Sequence, residues 1–433
     1  MKANPGILVA HPTGNQNVRN VLRALQSANC LNAFVTGLAF ADEGQASIAW
    51  LKRAVEARIY SLPKEKLKTV PAREILRIFA SRIAPRNRMF DKVFTSDAVY
   101  RSVDFAASRA LQRDANRIDA IYAYEDCAAQ GFQMAHKLGI QCIYDLPIAY
   151  WETAQKLYQE ESERWPDWVP TMPGLRDQKE KLDRKSVELE LADVVICPSE
   201  FVANSIASSA IARRLQKKTV VIPFGSPSEA VSVADRPSRG PLNVLFVGSM
   251  TQRKGLADLF QAVRILGRSD VRLTVMGAPI SALNFYRERL PSLIHEPPRS
   301  HREVLALMDK ADVLVLPSIV EGRALVVQEA MSRGLPVIVT PNTGASDLVR
   351  EGVNGFVIPI RSPEMIADRL AWMADHRDLV LEMGRHSRES SDKASWAEYR
   401  EGIETLVNSL VLVDRKMRNG QSPTPSAGSG KVR

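Results

Sequence analysis

The sequence predicts an α/β protein made of two doubly wound, Rossmann-like domains facing a central cleft, and three observations lead to that expectation. Short β-branched runs alternate with segments of helical apolar spacing along most of the chain. The alternation breaks once near the middle, in PFGSPSEAVSVADRPSRGP, where Pro, Gly and Ser crowd together. The length of 433 residues exceeds what one hydrophobic core sustains.

In the first half the runs ILVA (7–10), NAFVTG (32–37), IDAIYAY (118–124), QCIYD (141–145) and DVVICPS (193–199) read as buried parallel strands. NVRNVLRALQSA and CAAQGFQMAHKLG between them carry apolar residues at helical spacing, and the second ends in a glycine suited to stopping a helix. In the second half LNVLFVG, VRLTVMG, SLIHEPP, DVLVLPS, LPVIVTP and GFVIP repeat the pattern. The boundaries expected are 1–225 for the first domain, 226–241 for a linker and 242–385 for the second domain. The low-complexity stretch from Asn419 to Arg433 is read as a disordered tail. In open parallel sheets ligands bind beyond the carboxyl ends of strands, so the chemistry is sought in the loops that follow them.

The formal charge of +9 asks for an anionic partner, and 12 Lys or Arg against 4 Asp or Glu between Leu51 and Lys92 concentrate most of it. Within that stretch PAREILRIFASRIAPRNRMF (71–90) interleaves Ile75, Leu76, Ile78, Phe79 and Ile83 with Arg73, Arg77 and Arg82. Two readings stay open for the basic segment 71–92: an interfacial helix touching an anionic membrane or a lipid-linked acceptor, or a core-facing helix with a solvated basic face. Aromatic residues spaced for base stacking are absent there, so no nucleic-acid partner is expected. The N-terminal apolar run is too short for a signal peptide, no run spans a bilayer, and the four cysteines are scattered without a CxxC pair. These features predict a cytoplasmic protein, with peripheral contact at the inner face of the membrane if the basic helix serves that purpose. No Asp-x-Asp pair occurs and the six histidines do not cluster at ligand spacing, so neither a metal nor another cofactor is expected.

The candidate site lies in SIVEGRALVVQEAMSRGLPVIVT, where seven residues separate Glu321 from Glu329. An isolated pair of that spacing is usually one loop carboxylate and one helix surface charge. The context raises its weight: a buried strand ending in Pro317 and Ser318 precedes it, a helix-turn-strand follows, and Thr343 with Gly344 open another loop. Glu321 can accept hydrogen bonds from sugar hydroxyls and Glu329 can reach a ribose diol. The free N–H groups of Gly322, Arg323, Ala324 and Leu325 open a helix between them, an arrangement that holds phosphate. A second element, VLFVGSMTQRKGLADLF, ends a strand at Gly248 and brings Arg253 and Lys254 to a helix start. Two cations there can take up the charge that accumulates on a departing diphosphate.

With both motifs in hand, Val244 to Pro359 resembles the donor domain of the retaining glycosyltransferases of family 4, which have the GT-B fold. The resemblance rests on Gly248, Lys254 with Gly255, Glu321 with Glu329, Gly334 to Val337, and the turn from Arg350 to Pro359. It implies a retaining, metal-independent hexosyl transfer from a nucleotide-diphosphate sugar to a sugar or lipid-linked acceptor, in exopolysaccharide, capsule or glycolipid assembly. By resemblance Lys254 binds donor phosphates, Glu321 the sugar and Glu329 the ribose, with His295 to Pro297 near the base. The first domain takes the acceptor, and helices in 386–418 return to it. Ser249 stands where many members have Arg, Arg253 being the candidate replacement, and GRALVV replaces the common Gly-Phe-Gly.

On the acceptor side Gly14 lies in the first strand-to-helix loop, where members carry a glycine-rich turn near the diphosphate. His11 reads either as a ligand-facing residue or as a loop histidine. Tyr144 and Asp145 orient the acceptor or are structural, and Glu125 with Asp126 faces the acceptor or caps a helix. No residue stands out as a general base. The alternative function is a catalytically silent homologue that binds a sugar nucleotide or a partner glycosyltransferase.

Overall fold

The computed structural model describes residues 4–41, 58–83, 95–207, 209, 219–227 and 240–418, with the side chains of 79–83 and 411–418 left aside. Most of the expected linker, the tail, and residues 84–92 of the basic segment therefore lie outside the described residues. Contacts divide the chain into two compact units. One takes the chain up to Ala123, Cys127–Cys142 and the C-terminal helix from Arg400; the other takes Tyr124–Asp126 and Ile143–Tyr399.

In the first unit β1 (Ile7–Ala10), β2 (Leu31–Thr36), β5 (Leu67–Thr69) and β6 (Ala120–Tyr124) run parallel in the order β5-β2-β1-β6, while β3 (Phe40–Ala41) and β4 (Ile59–Tyr60) pair separately. All four residues of β1 are buried, as a strand covered on both faces requires. Asn15 caps the helix Gln16–Ser27 by accepting from the Val18 N–H. Asp104, buried on the helix Ser96–Asp114, accepts from the Gln130 and Gly131 N–H groups, placing a carboxylate at the start of the helix Ala129–Leu138. The segment Pro71–Ile83 is helical; Ile75 and Leu76 are exposed beside Arg73, and Glu74 is buried against Arg58.

The second unit contains most of β7 (Gln141–Asp145), then β8 (Val194–Cys197) and β9 (Thr219–Val221), parallel and in that order. It also holds a six-stranded parallel sheet made of β10 (Leu242–Val247), β11 (Val271–Met276), β12 (Ile294–Glu296), β13 (Val313–Leu316), β14 (Val337–Val339) and β15 (Gly355–Val357). Its order, β12-β11-β10-β13-β14-β15, reverses direction between β10 and β13. At such a switch point the loops leaving two adjacent strands diverge and open a crevice at the carboxyl edge of the sheet.

Every strand expected from the sequence is present, but the two-residue β3 and β4 were not foreseen, nor were the edge strands β5 and β9. β5 and β9 are each three residues long and preceded by lysine, as protected edge strands are. The helix Trp151–Arg164 and the 3-10 turn Pro166–Thr171 were also unforeseen. Trp168 in that turn is buried in the core of the second unit, with its ring edge-on to Phe260, Phe285 and Tyr286. Among the described residues no helix is long and apolar enough to cross a membrane.

Candidate functional site

β10 and β13 are hydrogen-bonded neighbours pointing the same way, so the loops after them leave the same edge of the sheet. The β10 loop runs from Gly248 through a 3-10 turn, Gln252–Lys254, into the helix Leu256–Leu266. The β13 loop runs from Pro317 to Glu321 and leads to the helix Leu325–Ser332. Their side chains meet: Arg253 Nη1 lies 2.9 Å and Lys254 Nζ 2.6 Å from the two oxygens of Glu321. The backbones are tied as well, the Arg253 carbonyl accepting from the Ile319 and Val320 N–H groups at 2.9 and 3.2 Å. Lys254 lies across Gly248, where a Cβ would come within 2.8 Å of its Cδ and Cε and where φ is +147°. Any other residue at position 248 would be strained at that φ and would force the Lys254 side chain to shift.

The charges of this triad are unequal. Burial raises the Glu321 pKa, but the Lys254 and Arg253 charges outweigh it and hold the carboxyl at about 2. Burial pulls the Lys254 ammonium below its ordinary value, with Glu321 only partly restoring it. For Arg253 burial acts downward, yet Glu321 leaves the guanidinium above its usual range. One carboxylate against two cations leaves a net positive charge in desolvated surroundings, which attracts an anion.

Further loops from the same unit brace Glu321. The Glu321 carbonyl accepts from the Ala149 N–H, and the Gly322 carbonyl accepts from the Ser199 hydroxyl at 2.7 Å. Gly322 packs so closely that a Cβ would meet the Pro147 carbonyl oxygen at 1.7 Å, so only glycine fits. After β14, Thr340 donates to the Ser318 carbonyl and Asn342 to the Ile319 carbonyl. Tyr158 is buried in a cluster with Ile319 and Val320, and burial, against the Arg253 charge, pushes its hydroxyl up to about 12.

The remaining expected residues fall into different surroundings. Glu329 is the fifth residue of its helix, 20% exposed, with His301 Nδ1 3.8 Å away; burial raises its pKa and His301 opposes the rise. The amides of Gly322, Arg323, Ala324 and Leu325 are not all free donors, because the Ala324 N–H donates to the Thr343 carbonyl at 2.9 Å. Ala324 is corrected on that ground: its amide is spent on closing the loop against its neighbour. Thr343 itself is fully buried and donates its hydroxyl to the Thr340 carbonyl. The Arg323 side chain turns inward, paired with Asp347 at 2.8 Å and bonded to the Gly344 carbonyl and Gln328. His295 sets its Nε2 3.0 Å from the Gly277 carbonyl.

Tyr144 is wholly buried and donates to Glu188 at 3.0 Å; burial and the nearby carboxylates raise its pKa well above the usual value. Asp145 is buried at the end of β7. Glu125 is buried and paired with Lys185 at 2.9 Å, its pKa raised by burial against that cation. In the first unit, His11 is fully buried next to the Thr13 backbone, and burial lowers its pKa to about 3, so the ring is neutral at physiological pH. The Gly14 carbonyl accepts from Arg19 Nε at 3.0 Å. Pro147, Ala149, Tyr158 and Ser199 escaped the sequence reading, since their only signal is position after β7 and β8.

Residues 234–390 match the family described as Glycosyl transferases group 1. This segment is a glycosyl transferases group 1 domain. Over nearly its whole length the chain is similar to solved structures in fold: the Anabaena protein HepE in complex with UDP and glucose superposes with a TM-score of 0.59 at 15% identity, covering 94% of this chain and 100% of that one. The fold is accordingly GT-B, with two Rossmann-like α/β domains. Among curated relatives, D-inositol 3-phosphate glycosyltransferase of Corynebacterium glutamicum is 30% identical over 193 residues, which are 41% of this chain and 46% of that one. The putative colanic acid biosynthesis glycosyltransferase WcaL of Salmonella typhimurium is 33% identical over 149 residues, 30% of this chain and 36% of that one. The chain thus spans roughly a third to three fifths of the curated relatives it matches. The group 1 domain contains the whole Arg253, Lys254 and Glu321 triad as well as Glu329.

Proposed function

We propose that this protein is a retaining, metal-independent glycosyltransferase of family 4. It moves a hexose-like sugar from a nucleotide-diphosphate donor to an acceptor hydroxyl in exopolysaccharide, capsule or glycolipid assembly. The observation that carries the reading is the Arg253, Lys254 and Glu321 triad at the switch point of a group 1 domain. Arg253 and Lys254 receive the diphosphate, whose charge grows as the glycosidic bond to phosphate breaks, so their fields favour the transition state over the ground state. Glu321 then turns its carboxylate to the sugar hydroxyls. The amides of Gly322, Arg323 and Leu325 and the backbone at Gly248 line the phosphate path. The leaving phosphate takes the acceptor proton, so no side chain is asked to act as base. Because HepE holds UDP, a UDP-sugar heads the list of donors to try.

The test is incubation of the purified protein with UDP-, GDP- and ADP-sugars, scoring thermal stabilisation and slow release of free nucleotide. Stabilisation with release supports the enzyme. Stabilisation without release, even with cell-derived acceptors, supports a silent sugar-nucleotide-binding homologue, and neither effect sinks the reading. Glu329→Ala is expected to raise the donor KM by about ten- to a hundredfold with kcat within threefold, the loss of a charge-assisted bond present in ground and transition states alike. A fall in kcat at unchanged KM would move Glu329 away from the ribose.

The exposed Ile75 and Leu76 beside Arg73 on Pro71–Ile83 support an extension of the proposal to peripheral contact with an anionic membrane. Sedimentation with phosphatidylglycerol vesicles is expected, and Arg73→Glu with Arg77→Glu should abolish it. Equal sedimentation of the double variant would place the contact elsewhere.

A further inference from the structure

We propose that Glu161, on the helix Trp151–Arg164, is a positioning residue for the Arg253 and Lys254 cations, acting through Gln252; the inference rests on the function proposed above. Glu161 is fully buried, and an isolated carboxylate there would be strongly disfavoured. Both of its oxygens are engaged instead. Oε2 accepts from Gln252 Nε2 at 2.6 Å and Oε1 from Arg361 Nε at 2.5 Å.

Gln252 is the residue immediately before the two cations and is also fully buried. Every polar group of its side chain is used: Nε2 donates to Glu161 and, at 2.8 Å, to Asp258, while Oε1 accepts from the Ala257 N–H at 2.8 Å. Its backbone N–H donates to the Thr171 hydroxyl. Asp258 is in turn paired with Arg164, from the same helix as Glu161. The 3-10 turn Gln252–Lys254 is thus held through Gln252 by one helix and the turn that follows it, in contacts separate from those of Arg253 and Lys254 with Glu321. A fixed Gln252 leaves Arg253 and Lys254 little freedom of backbone position, and a shift of about 1 Å at a charge clamp can cost as much as a hundredfold in rate.

Arg361 extends the grip. It holds Glu160 at 2.8 Å as well as Glu161, and its φ of +64° is rare for a residue with a side chain. Such a backbone persists where the surroundings over-determine it. Glue for the fold alone would be served by the Trp168 anchor and the apolar contacts around Tyr158. A buried carboxylate placed on the residue next to the clamp adds direction to the turn.

The experiment compares Glu161→Gln, which preserves shape and one acceptor, with Glu161→Ala. Hydrogen exchange at residues 249–255 is read without donor, and kcat and KM with the reactive nucleotide sugar. The expected outcome is faster exchange in 249–255 in both variants with β11 and β14 unchanged. With it kcat should fall about tenfold in Glu161→Gln and more in Glu161→Ala, and donor KM should move less than threefold in Glu161→Gln. Unchanged exchange in 249–255 in the folded Glu161→Gln variant overturns the proposal, as does a fall in activity that tracks thermal stability alone. If the parent protein handles no nucleotide sugar, the function fails; faster exchange in 249–255 still establishes the grip on the turn.

Discussion

Glu321→Gln is expected to slow sugar transfer by at least about a hundredfold while tightening the binding of free nucleoside diphosphate by about tenfold at pH 6. In the structure Glu321 is the counter-ion of Arg253 and Lys254, at 2.9 and 2.6 Å. An incoming diphosphate must compete with it for both cations. Glutamine removes that competition and the like-charge repulsion, so the product-like ligand gains. Transfer loses, because a neutral amide holds the sugar hydroxyls more weakly as charge develops.

The gain carries a pH signature. Burial already lowers the Lys254 pKa and Glu321 partly restores it, so the variant lowers it further. A bound diphosphate raises it again, so binding takes up a proton once the pH exceeds the Lys254 pKa of the empty variant. Affinity should therefore decline from pH 6 to pH 9 in Glu321→Gln more steeply than in the parent. Calorimetry in buffers of different ionisation enthalpy reads both affinity and proton uptake. Weaker binding than the parent at pH 6 would refute the counter-ion role. The parent also has an acid signature of its own: the folded pKa of Glu321 is depressed to about 2, so its stabilisation is fully present above the ordinary carboxylate range. That stabilisation is lost as pH falls through that range toward 2, and Glu321→Gln should remove this part of the acid branch.

Lys254→Ala is the second large effect. It should cut kcat by about a hundred- to a thousandfold, the range for removing one preorganised charge from a transition state, with donor KM changing by less than about tenfold. Arg253 remains to hold Glu321, so the carboxylate stays paired and folding survives. The depressed pKa of Glu321 should rise toward its ordinary value, because Lys254 is the larger of the two charges acting on it. Steady-state kinetics with acid-unfolding curves measure both. A variant with parental kcat would remove Lys254 from the chemistry, whatever its effect on stability.

Both halves of the triad were legible because their signals are local. A buried strand pattern followed by a glycine and basic residues, and another followed by an acidic residue before a helix, mark the carboxyl edge of a parallel sheet. Neighbouring strands, not neighbouring residues, then bring Lys254 to Glu321. The strands of the six-stranded sheet were legible for the same reason, each being an apolar run of strand length between helical segments. What failed was anything whose meaning depends on distant partners. WETAQKLYQEESER carries four glutamates among its fourteen residues, and spacing alone cannot tell that Glu161 is buried while Glu163 is exposed. Ala324 read as a free amide because its acceptor, the Thr343 carbonyl, comes from another loop. Tyr144 and Glu125 stand at strand ends, as site residues do, yet their partners Glu188 and Lys185 lie on a helix about 40 to 60 residues later.

The anchoring of Trp168 bears on how this chain can be recombined. Residues 143 to 178 come early in the sequence, yet they pack with the later sheet, and their indole fills a socket formed by Phe260, Phe285 and Tyr286. A hybrid joined at the Pro- and Ser-rich stretch near 230 would separate plug from socket and strip Gln252 of Glu161. Residues 143 to 399 belong to one compact unit, so a graft that keeps plug and socket together has to carry them as one piece.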